Sequence, residues 1–283
     1  MARRPATALL RWLKQHEPER YARTGYVLMA HDYIRYRLTA ELTCEETNIS
    51  GSQLFNLQRN DFDPALFTLF GIEEMMECMP KVIGSAELAG VVTTDAAALC
   101  GLKAGTPVFG GVFDVVGAAM TSGVYDSTQL SAVAGTWSIA TRVFDDIIPA
   151  DYPYVWGKFS IPGHYFAHEG SPTSASNLTW FIQHFLPELQ DDHDTLNQWA
   201  ARGYEKPDSI LFFPWLYGSN YGDSLSGGFF GLGGHHDAAD IVYGIYQGIV
   251  FSHLLHQDKL LQLGEGIQTI RFTGGPSHSR IWM

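Results

Sequence analysis

The 283-residue sequence predicts an α/β fold divided over two lobes, and three stretches carry that prediction. Residues 106–112 form an apolar strand that breaks at Gly110–Gly111 and runs into a small-residue helix at Asp114. Residues 129–134 and 137–143 read as two strands joined by a tight turn at Gly135–Thr136. Residues 269–273 read as a last strand closed by Gly274–Gly275, after a long helix with isoleucines at 241, 245 and 249. Strands interleaved with long periodic helices are the pattern of the α/β class.

Taken in order, Leu9, Leu10, Leu13 and Tyr21 fit a helical stripe of period 3.6, which Pro18 interrupts. Residues 29–38 repeat the pattern and end near Thr39. Asp61–Phe62–Asp63–Pro64 and Gly71 frame a turn region around residues 67–70. Glu73, Glu74 and Glu77 read as a solvated acidic helix face. Residues 95–100 form a helix stopped by Gly101, the usual left-handed terminator. A change of texture at Ser122–Gly123 marks the boundary between the lobes. Beyond the hairpin come a helix over residues 176–185, an aromatic run over 211–217, and a helix over 240–262 with Ile241, Ile245, Ile249, Leu254 and Leu255 on its buried side. The aromatic run and Trp137 read as core between elements, with a sugar-stacking surface as the alternative.

Asp114 is the leading catalytic candidate. It is the one charge in an apolar and small-residue stretch, and the first amides of a helix favour an ionised carboxylate, the state a proton acceptor requires. The competing reading is a helix cap. Asp32, near the start of another helix, is the next candidate and reads as structural. The Gly135–Thr136 turn offers a hydroxyl and backbone amides that can cradle phosphate oxygens, or is an ordinary hairpin turn. Gly274–Gly275 would let a flat nucleotide lie against bare backbone, or is a plain turn.

With these residues in view, the sequence resembles the FGGY carbohydrate kinases, which phosphorylate sugars and polyols with ATP. The most specific stretch is Gly227–Gly228–Phe229–Phe230–Gly231–Leu232 followed, seven residues on, by Asp240–Ile241–Val242–Tyr243–Gly244–Ile245–Tyr246–Gln247. It matches the C-terminal family signature except at Gly244, where Ala or Ser is usual. The N-terminal signature is looser: Leu10, Trp12, Leu13 and His16 fit, while Leu9 stands at the usual Lys position and Ala6 at the usual Pro, Ser or Thr position. Within the family the likeness is to the L-xylulose kinases, through His31–Asp32–Tyr33–Ile34–Arg35, Glu45–Glu46–Thr47–Asn48–Ile49–Ser50, Gly111–Val112–Phe113–Asp114 and Thr273–Gly274–Gly275–Pro276.

The resemblance implies a ribonuclease-H-like, actin-like ATPase fold of two lobes, incomplete at both termini. Residues 1–122 would be the latter part of the sugar-binding N-terminal domain, and 123–283 the first part of the nucleotide-binding C-terminal domain. Asp114 falls on the general base, Gly135 and Thr136 on the second phosphate loop, Ala175 and Thr179 on nucleotide contacts ahead of Trp180, and Gly274 and Gly275 on the adenosine motif. ATP and Mg²⁺ are the implied cofactors, and the acceptor is a ketopentose such as L-xylulose. Family members begin with a strand and an Asp-x-Gly phosphate loop ahead of the match, so the chain is expected to be the middle of a kinase, inactive alone. The alternatives are a non-catalytic sugar-binding or regulatory remnant, or a kinase for another pentulose, a gluconate or a polyol.

Composition sets outer limits. Apolar residues make up 46% of the chain, ample for a core, and a formal charge of −12 argues against nucleic acid or anionic membrane as a partner. No run approaches the roughly 20 apolar residues of a membrane span, and Arg11 and Lys14 interrupt any signal-peptide core after Arg3–Arg4. Three distant cysteines without a Cys-x-x-Cys motif suggest unpaired thiols and a cytoplasmic location. No His or Cys set has metal-ligand spacing, and His235–His236 reads as a surface turn. The expected partners are the sugar and ATP, with a homodimer left open.

Overall fold

The helical stripe at the N-terminus forms, with one residue out of place. The computed structural model describes residues 6–206, 210–222 and 224–283. Helix α1 (Ala6–His16) buries Leu10, but Leu9 faces solvent at 53% exposure. Helix α2 (Pro18–Ala22) starts on Pro18, where the missing N–H has no helical partner to lose, and buries Tyr21. Helix α3 (Ala30–Thr39) ends at left-handed Ala40 and turns a polar face inward, Asp32, Arg35 and Thr39.

Strand β1 (Thr43–Glu45) runs into the single-turn helix α4 (Glu46–Ile49). The hairpin of β2 (Phe55–Asn56) and β3 (Asp61–Phe62) leads to α5 (Pro64–Phe70), capped by the Asp63 side chain on the Ala65 N–H and closed by Gly71. The acidic stretch 73–78 is a 3₁₀ turn whose Glu73, Glu74 and Glu77 are exposed, as read, with Lys14 and the Tyr21 hydroxyl both bound to Glu74. Strand β4 (Lys81–Ile83) pairs parallel to β1. Leu10, Tyr21, Cys44, Phe62, Phe67 and Met75 close the core of this part. The hairpin of β5 (Leu88–Val91) and β6 (Pro107–Phe109), with α6 (Thr94–Cys100) between them, delivers the chain to α7 (Asp114–Thr121).

The C-terminal part is built on a five-stranded sheet. Strands β7 (Gln129–Ala134), β8 (Ser138–Phe144), β9 (Val155–Lys158) and β10 (Tyr165–Ser171) pair antiparallel in the order β7-β8-β10-β9. Helices α8 (Ala175–Phe185) and α9 (His193–Tyr204) and the hairpin of β11 (Leu211–Phe213) and β12 (Gly228–Phe230) follow. The 24-residue helix α10 (Ala238–Leu261) then carries the chain across the sheet. Strand β13 (Thr269–Thr273) adds on parallel to β7. A reciprocal cap opens α10, with the Asp237 carboxylate on the Ala239 and Asp240 amides and the Asp240 carboxylate on the Asp237 amide.

Alternation along β8 and β10 gives the sheet two covered faces. Ala140, Phe144 and Ala167 pack with Leu260 and Leu263 at the end of α10. Their neighbours Val143 and Phe166 pack on the opposite face with Val116 and Ala119 of α7. Helix α7 therefore lies just before the 122/123 boundary read from sequence while its apolar face belongs to the C-terminal sheet.

The first half of α10 packs with α8, α9 and Phe212. In the aromatic run Phe212 is core, as read, whereas Leu211 and Phe213 face outward at 42% and 40% exposure. The second half of α10 departs from the sequence reading: Leu254 and Leu255 are exposed at 45% and 47%, and Ser252, His253, His256 and Gln257 take the buried stripe. His253 and His256 meet the Ser138 and Ser171 hydroxyls of the sheet and Ser252 meets Thr173 just after it, so hydrogen bonding and not hydrophobicity decides which side faces in.

Two glycines let α10 approach the backbone of residues 210–212. A Cβ at Gly244, the departure from the family signature, would lie 2.8 Å from the Ile210 carbonyl oxygen, and one at Gly248 would lie 2.2 Å from that of Phe212. Gly248→Ala is expected to destabilise the protein by about 1–3 kcal/mol, more than the at most about 1 kcal/mol that alanine gains in helix propensity. Urea unfolding reads the difference. An unchanged midpoint would mean that β11 withdraws freely from the helix.

Candidate active site

Asp114 is delivered by a segment clamped from both sides. The Gly110 N–H donates to Glu87 O (3.0 Å) and the Gly111 N–H to Ser85 O (3.0 Å). Any Cβ on Gly110 would come within 2.3 Å of the Gly84 carbonyl oxygen, so only glycine fits. Arg35 Nη1 donates to Gly110 O at 2.5 Å, and the Phe113 N–H donates to Thr47 Oγ1 at 2.8 Å. Asp114 is the first helical residue of α7 and is exposed. Its Oδ1 accepts the Val115 N–H at 2.8 Å, and among the described residues Oδ2 meets no partner. The carboxylate is therefore open to solvent and to a ligand.

Asp32 has a different part. It is fully buried, with Oδ1 accepting from Arg35 Nη2 (2.6 Å) and the Glu45 N–H (3.2 Å), and with His31 Nε2 lying 2.9 Å from the same oxygen. It orients the arginine that holds Gly110, and so it is structural, in line with its sequence reading.

The second group of candidates converges on the turn between β7 and β8. The register leaves residues 135–137 as the turn, closed by the Gly135 N–H on Trp137 O at 3.0 Å. That bond occupies Gly135's own amide. Its carbonyl accepts the Ala175 N–H at 3.1 Å, which fixes the start of α8 against the turn. Thr136 is exposed at the tip. Gly274 lies at the end of β13 with φ 106°, so close that a Cβ would stand 2.0 Å from the Ala134 carbonyl oxygen. A side chain at Gly274 would push β13 and β7 apart.

A cavity of about 630 Å³ opens beside this junction, lined by Ala175, Thr179 and Gly275 together with Asn197, Tyr246 and Trp282. Thr179 is on its exposed rim, its hydroxyl donating to Ala175 O. Asn197 Oδ1 receives the hydroxyls of Tyr246 (3.2 Å) and Ser279 (2.8 Å), which ties α9, α10 and the chain after β13 into one wall. Tyr246 and Trp282 pack with ring centroids 4.4 Å apart and their planes tilted by 33°. The structure thus brings Gly135, Ala175, Thr179, Gly274 and Gly275 together. Of these only Ala175, Thr179 and Gly275 line the cavity; Gly135 and Gly274 lie beside it, and Asp114, Thr136 and Trp137 are not part of its lining. The sequence reading missed Asn197, Tyr246 and Trp282; the one trace of them was Tyr246 inside the signature stretch 240–247.

Beneath the turn sits a buried polar cluster. His253 bridges Ser138 Oγ (Nδ1, 2.8 Å), the first residue after the turn, and Ser174 Oγ (Nε2, 2.9 Å), the last before α8. Burial, and to a lesser degree nearby His256, pushes the His253 imidazole down to about 4. His256 Nε2 pairs with Ser171 Oγ (2.8 Å), and its Nδ1 faces Glu169 Oε2 at 3.5 Å. Burial alone would raise the Glu169 carboxyl, but His256 and Lys259 together bring it below the ordinary carboxylate value.

Two domain models of the FGGY family of carbohydrate kinases match the chain, the N-terminal domain over residues 4–121 and the C-terminal domain over residues 130–283. The chain belongs to this family. An L-xylulose/3-keto-L-gulonate kinase of Escherichia coli (strain K12) is 44% identical over 277 residues, covering 98% of this chain and 55% of that protein. A probable L-xylulose kinase of Pasteurella multocida (strain Pm70) is also 44% identical, covering 98% of this chain and 56% of the relative. The chain thus spans about half the length of the curated relatives it matches.

Among solved structures, a xylulose kinase from Rhodospirillum rubrum superposes with a TM-score of 0.87 at 25% identity, over 99% of this chain and 57% of that one. A Plasmodium falciparum glycerol kinase with ADP gives 0.83 at 18% identity over 98% and 56%. The fold is that of the actin-like ATPases, as the family resemblance implied. Among the described residues no helix is long and apolar enough to cross a membrane. The three cysteines are free, Cys44 in the core, Cys78 half-buried and Cys100 exposed.

Proposed function

We propose that the protein is an ATP-dependent carbohydrate kinase that phosphorylates a primary hydroxyl of a ketopentose such as L-xylulose, with Asp114 as general base. The observation that carries this reading is an exposed carboxylate with one oxygen unpartnered among the described residues, held on a clamped glycine segment, in a chain that matches both domains of a sugar-kinase family. Residues 1–122 would supply the latter part of the sugar lobe and residues 123–283 the first part of the nucleotide lobe. The acceptor is proposed from the 44% identity to enzymes named for L-xylulose.

In this reading Asp114 takes the proton of the sugar hydroxyl as its oxygen attacks the γ-phosphorus and the bond to the β-phosphate oxygen breaks. Phosphoryl transfer asks the protein chiefly for positioning and charge stabilisation, and the clamped segment supports the first demand. ATP fits what is present. A cavity of about 630 Å³ with the packed Tyr246–Trp282 rings in its wall and bare backbone at Gly275 suits a purine, and pockets of roughly 300–1,000 Å³ are usual for such ligands. Ala175 and Thr179 would edge the nucleotide, Thr136 would meet phosphate oxygens, and Gly135 and Gly274 would shape the backbone around them. Mg²⁺, when bound, would be held mainly by phosphate oxygens and water, with one or two carboxylates at most.

The test is ATP consumption with L-xylulose, set beside other pentuloses, gluconate and polyols. It is run on the 283-residue chain and on a form extended to the length of the relatives. Turnover is expected in the extended form with L-xylulose preferred, and none in the shorter chain. No turnover in either form, with sugar still bound, would replace the kinase reading by a sugar-binding remnant.

A further inference from the structure

The buried polar groups of the N-terminal part converge on the few residues that precede Asp114, and they do so with fixed polarity. Glu45 is fully buried, and both its oxygens are used as acceptors. Oε1 takes the Thr47 N–H (2.9 Å) and the Ser85 hydroxyl (2.7 Å), while Oε2 takes the Thr47 hydroxyl (2.6 Å) and the Asn48 N–H (3.1 Å). Thr47 is 1% exposed. Because its single hydroxyl proton goes to Glu45, its oxygen has only lone pairs left, and the Phe113 N–H at 2.8 Å can only donate. The order Phe113 N–H to Thr47 O–H to Glu45 carboxylate therefore runs one way. Phe113 sits at the helix N-cap position of α7 and offers no capping side chain of its own. At the other end of the segment, Arg35 holds Gly110 O and is itself fixed by Asp32 and by Thr43 Oγ1 (3.0 Å).

We infer that Thr47 is a positioning residue for the transfer reaction: its hydroxyl, polarised by Glu45, fixes the Phe113 amide and thereby the place from which the Asp114 carboxylate meets the attacking hydroxyl. This role rests on the reading of Asp114 as general base. It follows from the geometry because Asp114 is exposed and, among the described residues, its side chain bonds only the adjacent Val115 N–H, so its location is set by the backbone on either side. A carboxylate so placed is sensitive to small shifts, since a displacement of about 1 Å costs a reaction on the order of 10²-fold.

Thr47→Ala and Thr47→Ser differ by one oxygen, and comparing them in the extended enzyme isolates the hydroxyl. Thr47→Ala is expected to lower kcat about tenfold, equivalent to about 1.4 kcal/mol of barrier, with KM for ATP unchanged, while Thr47→Ser recovers most of the turnover. Amide hydrogen exchange gives a second readout independent of activity: the Phe113 N–H should exchange at least about tenfold faster in Thr47→Ala than in Thr47→Ser. Thr47→Val, which keeps the volume, is measured alongside in case the alanine variant folds poorly. Equal kcat in the Ala and Ser variants, or equal Phe113 exchange, overturns the inference. Asp114→Asn run in parallel separates the two claims. If it is inactive while Thr47→Ala is not, only the positioning role falls; if it retains full turnover, the base reading falls first and the positioning role with it.

Discussion

Asp114→Asn in the extended enzyme is expected to bind ATP and sugar normally and to lose turnover by about 10²- to 10⁴-fold, the usual worth of a general base. The substitution separates chemistry from structure because of what the carboxylate touches. Its one recorded bond accepts the Val115 N–H, and an amide oxygen accepts that hydrogen equally well. Asn and Asp are also interchangeable at helix starts. If Asp114 only supported the start of α7, the variant would be silent in every assay. If it removes a proton, the amide cannot replace it, and the loss appears in kcat with the dissociation constant for ATP unmoved. Single-turnover kinetics alongside equilibrium nucleotide binding make the distinction, and wild-type turnover in the variant rejects Asp114 as the base.

The reason this residue could be singled out from sequence is local. A strand, two glycines, one acid and a run of small residues are neighbours in the chain, and period and composition record them directly. The same holds for the Gly135–Thr136 hairpin and for Gly274–Gly275 after β13, each a strand followed by its own terminator. Ala175 and Thr179 are another matter: nothing in their surroundings marks them, and the family resemblance alone singled them out. Asn197, Tyr246 and Trp282 were out of reach because three elements far apart in sequence build that wall, and no period connects them.

Polar burial is the other thing the sequence hid. Glu45 and Glu46 look alike in the chain, yet the first is wholly buried under four donors and the second is half-buried. Leu254 and Leu255 were assigned to the core by hydropathy and lie outside, since the inner face of α10 at that level is committed to histidines that answer serines of the sheet. Leu9 fails for the simpler reason that α1 has one covered side and Leu10 occupies it. On α10 the deciding partners, Ser138 and Ser171, are remote in sequence, and the free energy of an unmet buried hydrogen bond outweighs that of one exposed leucine.

That commitment has a pH signature. In the unfolded chain His253 takes up a proton near pH 6.5, whereas in the fold burial holds the imidazole neutral until about 4. Between those values the unfolded state binds the extra proton, so acid favours unfolding: the stability contribution is complete above about pH 6.5 and is lost as pH falls to 4. A gap of roughly 2.5 pH units corresponds to about 3 kcal/mol at the lower limit. Glu169, whose carboxyl lies below its ordinary value, adds loss in the same direction only at lower pH. The groups facing His253 are the Ser138 and Ser174 hydroxyls, the Phe272 ring and the His256 imidazole, and none supplies a negative charge to offset protonation. Denaturant unfolding from pH 7 to 4.5 should therefore show a falling midpoint, and His253→Gln should lower stability at pH 7 while flattening that slope. Because His253 joins the residue after the β7–β8 turn to the residue before α8, the same acidification should loosen the cavity edge at Ala175 and, in the proposed reading, weaken nucleotide binding in parallel. A His253 ring resonance that titrates near pH 6.5 in the folded protein, or an equal slope in the Gln variant, would show that the acid sensitivity arises elsewhere.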